Sequence, residues 1–348
     1  MIANAAHIPA YKQFPNDFEI AAVSDINAEA AENTAKRHGI KKWYTDAKKM
    51  LDECRPDVVS VCVPNCFHKE YTLMALSYGA NVLCEKPLAF TKKDAEEMFA
   101  MAKKQGKVLM ACQSMRFTPD RLAAKKYIEE KQENNFYYME LSRVRRRGIP
   151  FWGAFHIGKI SGGGAFVDIG VHMIDAALWL VGNSEVLSVC GVKSKNHADE
   201  IGDLVSSGAL TGHVDSIRKF DPDEMDVEDF SAGSVKFKNG AMLNFKVAWA
   251  TNQPEEAGLK LVNKNVGINI SACEIYRGME PVEKLDGIPL EYDGHFPGHC
   301  YLVKNMRDVL KNGADPIVKP EETIACAEII EAFYRSAELG REVFAEEL

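Results

Sequence analysis

The chain has little that would bind a polyanion, cross a bilayer or staple a secreted scaffold. Its 50 acidic residues outnumber its 42 basic ones, for a formal charge of −8, which argues against nucleic acid or an anionic membrane as partner. The longest apolar runs fall far short of a membrane span, and the N-terminus lacks the charged-then-apolar layout of a signal peptide. Nine cysteines, an odd number without regular spacing, fit reduced thiols in a cytoplasm better than a disulfide framework. Cys62 and Cys66, with His68 close by, come nearest to a metal cluster. Cys62 lies inside an apolar run and no second cluster follows, so no metal is expected. Internal repeats and low-complexity stretches are absent.

What remains is an ordinary globular composition, 46% hydrophobic over 348 residues, long enough that two domains are the default. Residues 19–24, 57–63, 81–84 and 107–112 read as strands, and 27–38, 68–78 and 91–105 as helices. Gly39 and Gly79 serve as stops and Thr91 as an N-cap. The run at 57–63 (DVVSVCV) reads as a strand buried on both faces. Strand–helix alternation with short loops predicts a parallel sheet flanked by helices, and ligands of such sheets sit beyond the carboxyl ends of the strands. Asp25, Pro64, Asn65, Glu85, Lys86, Gln113 and Arg116 occupy those ends. Asp25 stands where an acid grips an adenosine ribose, favouring NAD over the 2′-phosphate of NADP; it equally suits a helix cap. The glycine-rich turn that normally meets a pyrophosphate is missing. The chain opens Met1-Ile2-Ala3, and Ala3 suits the sixth position of that fingerprint. The first strand and leading glycines are therefore expected upstream, as in a chain clipped within its own cofactor loop.

Past Arg116 the pattern changes. Residues 119–132 read as a helix, and 136–146, 186–192, 233–237, 241–250 and 260–270 as strands, with Lys238-Asn239-Gly240 as a hairpin turn. Few helices intervene, which predicts one large, mainly antiparallel sheet carrying the helix at 162–180 on a face. In that helix, GGGAFVDIGVHMIDAALWL, Asp168 and His172 lie four residues apart on one stripe, with Asp175 a turn further. Polar groups on an oily helix are costly to bury without partners, so the stripe either faces a cleft or forms a structural network. The acidic stretch 221–229 reads as a solvated loop, and 299–310 and 321–339 as closing helices. The expected fold is thus α/β: a Rossmann-type parallel-sheet domain over 1–117, with its first strand missing, and an α+β domain over 118–348 whose C-terminal helices can pack back on the first domain.

Glu85-Lys86-Pro87 at a strand end, followed by GGGAFVDIGVHMID, resembles the Gfo/Idh/MocA family of nicotinamide-dependent oxidoreductases acting mostly on sugars and polyols. The similarity takes in Ile2-Ala3-Asn4 with His7 and Pro9, Asp25, Pro64-Asn65 with His68, Arg116-Phe117, and residues 336–341 near the C-terminus. It implies that Lys86, Asp168 and His172 are the catalytic set. Ile2, Ala3, Asp25, Pro64, Asn65, His68, Glu85, Lys86, Gln113 and Arg116 are expected to line the cofactor cleft. His68 reads equally as a helix-start residue with no ligand.

Oxidation of a secondary alcohol requires a hydride to leave carbon and a proton to leave oxygen, the latter to a base titrating near working pH. Either His172 takes the proton while Lys86 stabilises the oxygen, or their roles are exchanged. Asp168 binds a neighbouring hydroxyl or orients the pair. Trp152 and His156 are further candidates for the substrate pocket, Trp152 as a flat wall against a sugar face. The expected substrate is a small carbohydrate-like alcohol or ketone. Two alternatives stay open: a glycosidase that uses NAD transiently, and a non-catalytic nucleotide-binding protein. A large sheet with one uncovered face predicts a homodimer or homotetramer.

Overall fold

The computed structural model describes residues 1–150, 153–182, 185–198 and 221–348. The chain enters directly in a helix, a π-helical turn over Ala3–His7 running into α1 (Ile8–Lys12). Then follow β1 (Val23–Ser24), α2 (Ala28–His38), β2 (Trp43–Tyr44), α3 (Ala47–Cys54), β3 (Val58–Val61), α4 (His68–Ser77), β4 (Asn81–Cys84), α5 (Lys92–Gln105) and β5 (Leu109–Ala111). Local chemistry sets the ends. Asn27 Oδ1 accepts from Ala30 N–H and Thr91 Oγ1 from Asp94 N–H, while Gly39 and Gly106 close α2 and α5 in the left-handed conformation.

All ladders in this half are parallel, in two sheets: β1 with β2, and β3-β4-β5. The β4 and β5 strands are buried throughout, as a run covered on both faces should be. The expectation for 57–63 needs correcting: in β3 only Val61 is buried. β3 is an edge of its three-stranded sheet, and Ser60 turns its hydroxyl to Tyr11 and His7.

The second half contains α6 (Pro119–Glu130), β6 (Tyr138–Val144), α7 (Gly158–Ser161), a π-helical turn over Phe166–Gly170 and α8 (Val171–Val181). Next come β7 (Val186–Ser194), β8 (Phe230–Phe237), β9 (Met242–Ala248), β10 (Glu256–Val262), β11 (Gly267–Asn269), β12 (Glu274–Tyr276) and β13 (Glu283–Lys284). The chain closes with α9 (Pro297–Asn312), α10 (Pro320–Leu339) and β14 (Val343–Phe344). Nine strands form one sheet in the order β13-β12-β11-β10-β6-β9-β8-β7-β14. Among the described pairs only β6 and β9 run parallel. The run at 260–270 is two strands rather than one, because Asn263 Oδ1 accepts from Asn265 and Val266 N–H and turns the chain.

One core packs α8 and α10 against this sheet around Phe166, Phe245 and Phe333. A second joins β3–β5 to their helices and takes in Leu302, Val303 and Met306 of α9, so a closing helix belongs to the nucleotide half's core, and a small third gathers Ile8, Ala35 and Ile40. The stretch Gly158–Val181, helical on either side of a glycine break, is 24 residues with mean hydropathy 1.5 in its most apolar window, long and apolar enough to cross a membrane, which corrects the sequence estimate. That window is 83% buried within the protein; a helix covered on all sides carries the same composition as a membrane span.

Candidate active site

The site forms where the end of β4 meets the turn before α8. Gly162 and Gly163 break the helical path (φ +82° and +154°). At Gly164 a Cβ would overlap the carbonyl oxygen of Glu228, so only glycine admits that approach. Glu228, 4% exposed, accepts from Gly164 N–H (3.0 Å), Phe166 N–H (3.0 Å) and Tyr334 O–H (2.9 Å). Burial raises its pKa, and those donors pull it back. The 221–229 stretch is therefore not simply a solvated loop. Its last two acids are buried, and Asp229 accepts from Asn196 and His197 N–H.

Behind this clamp the π-helical turn presents Asp168. Such turns shift carbonyls out of the usual ladder and are frequent at functional sites. Lys86 Nζ donates to Asp168 backbone O (2.7 Å) and Oδ1 (3.1 Å), and Trp249 Nε1–H donates to Oδ2 (3.0 Å). Trp249, at the end of β9, is fully buried and fixes the carboxylate's second oxygen. His172 lies one turn on, half-buried, its Nδ1 sealed from solvent without a partner among the described residues. Burial, then the charge of Lys86, holds its pKa well below the ordinary imidazole value. The lysine of one half thus contacts the helical turn of the other that carries Asp168, and its charge acts on His172.

The remaining expected residues divide. Asp25 is exposed at the end of β1 and accepts from Asn27 N–H (2.9 Å). Ile2 and Ala3 open the first helix, half-buried. Pro64 is exposed, and Asn65 Nδ2 donates to Ser161 O (2.9 Å), bridging the halves. Gln113 is buried with its Oε1 unpartnered among the described residues. Glu85 turns its carboxylate inward to His7 and His299, which hold its pKa well below the usual range against the opposing effect of burial.

His68 and Arg116 both have their polar groups engaged by protein partners. His68 sits between the carbonyls of Pro87 (2.7 Å) and Val63 (3.0 Å) and is 1% exposed, a core histidine tying two strand ends. Arg116 is fully buried, its guanidinium spent on Asp175 (2.7 and 2.5 Å), Glu322 (2.8 Å) and Ile317 O (2.9 Å). Asp175 is therefore its counter-ion and not a third member of the His172 stripe. His156 is buried, 3.7 Å from Glu224. Trp152 lies outside the described residues. Sequence reasoning passed over Glu228 and Trp249. One looked like part of an acidic run and the other like strand filling, and no local signal marked either.

Residues 1–113 match a domain described as "Oxidoreductase family, NAD-binding Rossmann fold", and residues 125–344 match "Oxidoreductase family, C-terminal alpha/beta domain". The chain belongs to the Gfo/Idh/MocA oxidoreductase family. Among curated members, D-glucoside 3-dehydrogenase of Escherichia coli (strain K12) is 35% identical over 263 residues, 75% of this chain and 72% of that protein. Levoglucosan dehydrogenase of Pseudarthrobacter phenanthrenivorans is 29% identical over 253 residues, 68% of this chain and 62% of its own. A solved NAD-binding protein from Listeria innocua superposes with a TM-score of 0.73 at 27% identity, covering 97% of this chain and 92% of that one. As a Gfo/Idh/MocA oxidoreductase the chain carries a nicotinamide-dependent dehydrogenase framework acting on CH–OH groups.

Proposed function

We propose that this Gfo/Idh/MocA oxidoreductase dehydrogenates a carbohydrate-like secondary alcohol with NAD, using Lys86, Asp168 and His172. The observation that carries the reading is the bond from Lys86 Nζ to Asp168, made beside an imidazole held neutral. The bound nicotinamide supplies the hydride acceptor. His172, uncharged, relays the hydroxyl proton, since a ring held this far below its ordinary value does not retain it. Lys86, with two N–H groups committed to Asp168, directs its third at the reacting oxygen and stabilises charge developing there. Asp168, fixed on one oxygen by Lys86 and on the other by Trp249, orients the lysine.

The residues fit the cofactor. Asp25, exposed and with one oxygen taken by Asn27 N–H, offers its other oxygen to a ribose 2′-hydroxyl and repels a 2′-phosphate, which supports NAD over NADP. Gln113 Oε1 is a buried acceptor that lacks a donor among the described residues, as a carboxamide N–H would supply. Ile2, Ala3, Pro64 and Asn65 complete the cleft in a cofactor domain of residues 1–117. Residues 118–348 form the substrate domain. Two relatives named as dehydrogenases of D-glucosides and of levoglucosan support a sugar or polyol substrate. Nine free cysteines support a cytoplasmic setting. The face of the large sheet turned away from α8 and α10 bears half-exposed Glu140, Asn244 and Lys246, and supports pairing with a second copy.

The test is a sugar and polyol panel with NAD, followed by NADH absorbance, on wild type, Lys86→Met and His172→Ala. Losses in kcat of roughly 10²–10³ for Lys86→Met and 10²–10⁴ for His172→Ala are expected, with NADH binding retained. Near-wild-type turnover in either variant removes that residue from the mechanism. Glycoside cleavage without net NADH overturns the dehydrogenase reading.

A further inference from the structure

Four side chains that the proposed chemistry leaves unused converge behind Lys86. His7 comes from the first helix, Glu85 from the end of β4, Cys112 from just past β5 and His299 from the first turn of α9. Glu85 Oε1 lies 2.7 Å from His7 Nε2 and 3.1 Å from His299 Nε2, and Cys112 Sγ lies 3.9 Å from His7 Nε2. The four donor atoms all fall within 4.8 Å of one another. Every member is buried, with 2%, 9%, 1% and 4% exposure in chain order. Among the described residues, the groups that pair with Glu85 as an ion are these two imidazoles and no lysine or arginine.

Two imidazoles, a carboxylate and a thiol make an N₂OS donor set, the kind that selects a borderline-soft divalent ion over calcium or magnesium. Charge agrees. With neutral imidazoles, the carboxylate and a thiolate sum to −2, so a divalent cation leaves a dry pocket neutral. His7 also has the outer contact by which ligating imidazoles are oriented: its Nδ1 is 3.1 Å from Ser60 Oγ, which in turn meets Tyr11 Oη at 3.0 Å.

We propose that His7, Glu85, Cys112 and His299 form a closed, four-ligand site for a divalent ion of the zinc class. With metal–nitrogen distances near 2.0–2.1 Å, tetrahedral ligand atoms stand about 3.3 Å apart. The His–Glu contacts would open by up to roughly half an ångström, and the cysteine would close in by a similar amount. Binding releases the Cys112 thiol proton to solvent and leaves each imidazole protonated on Nδ1. Four protein ligands leave no open position, so the ion's role is structural. It cross-links the first helix, the ends of β4 and β5, and α9, and so braces the backbone of Glu85 next to Lys86. The proposal does not depend on which alcohol the enzyme oxidises.

The experiment uses the full chain, stripped by a chelator and dialysed, then titrated with zinc chloride by calorimetry. Thermal melting is followed in parallel, and cobalt(II) chloride serves as the optical probe. Expected are one zinc per chain, a melting temperature raised by zinc and lowered by chelator, and a near-ultraviolet thiolate-to-cobalt charge-transfer band. Cys112→Ser, which is nearly isosteric, removes the band and weakens zinc binding by at least about 10–100-fold; His299→Gln weakens it comparably. The cobalt spectrum of the wild type needs no variant to fold. The proposal is overturned by no zinc uptake, by uptake without a thiolate band, or by uptake unchanged in Cys112→Ser. The first outcome leaves the cluster a metal-free hydrogen-bond network.

Discussion

Replacing Arg116 by methionine should cost about 3–5 kcal/mol of stability while leaving NADH affinity unchanged. The magnitude follows from what is left behind. Arg116, Asp175 and Glu322 have side chains 0%, 1% and 9% exposed, so removing the cation strands two buried carboxylates. Glu322 keeps a partial remedy. It accepts from Lys319 N–H in the first turn of α10, where the helix dipole favours an anion. Asp175 loses both charge-assisted bonds and, among the described residues, keeps the field of Arg121. Breaking a buried pair in this way costs about 3–5 kcal/mol, a large share of the 5–15 kcal/mol typical of a folded protein.

The measurement is urea unfolding across pH. Burial raises the Asp175 carboxyl, and losing Arg116 raises it further. A raised carboxyl favours the fold below its unfolded value and loses that advantage as pH climbs through the folded value. The deficit of Arg116→Met should therefore shrink on going from pH 7 towards pH 4. Arg116→Met/Asp175→Leu should recover most of it, since apolar replacement of a whole buried pair is neutral or favourable. A deficit below about 1 kcal/mol at pH 7 refutes the buried-pair reasoning. Intact stability with weakened NADH binding would return Arg116 to the cofactor cleft.

Gly164→Ala drives a Cβ into the Glu228 carbonyl and should cost about 1–3 kcal/mol or prevent folding, read as a fall in melting temperature. In the oxidation direction, kcat/KM should stay level as pH drops through the ordinary imidazole value of 6.5. It should fall only at more acid pH, because burial and Lys86 keep His172 neutral; the stability tied to that neutral ring starts to fall earlier, from 6.5, where the unfolded ring protonates, down to the folded value. Asp25→Asn should improve NADP relative to NAD by about 1 kcal/mol, the value of one close like-charge pair in water, measured as a ratio of dissociation constants.

Where local chemistry decides structure, the sequence was legible. The Thr91 cap, the Gly39 stop and the strand at 81–84 stand where expected, while the cap of α2 is Asn27 and not Asp25. Where a distant partner decides, it was not. His68 and Arg116 occupy strand-end positions that suit a cofactor ligand, yet their ring and guanidinium are consumed by Val63, Pro87, Asp175 and Glu322. The His7–Glu85–Cys112–His299 cluster draws on positions up to 292 residues apart and follows no spacing rule. Lys86, Asp168 and His172 could be singled out because their motifs are local, though the π-helical register that brings the Asp168 carbonyl to Lys86 was not visible.

The helix that carries the site is pinned on both sides of it. Glu228 holds Gly164 and Phe166 at one end, and Arg116 holds Asp175 at the other. Asp168 and His172 lie between, with Asp175 about 10 Å along the axis from Asp168 at 1.5 Å per residue. Lys86 and Arg116 both come from the nucleotide half, so one half grips the helix at its reacting turn and again two turns later. A rotation at either anchor would move the His172 ring relative to Lys86 without touching the cofactor cleft. Arg116→Met protein that remains folded should accordingly lose kcat while its NADH affinity holds, and Glu228→Gln should behave alike from the opposite end. Misplacements of an ångström in a reacting pair cost on the order of 100-fold. Full kcat in both variants would mean that Lys86 and Asp168 hold the helix in register unaided.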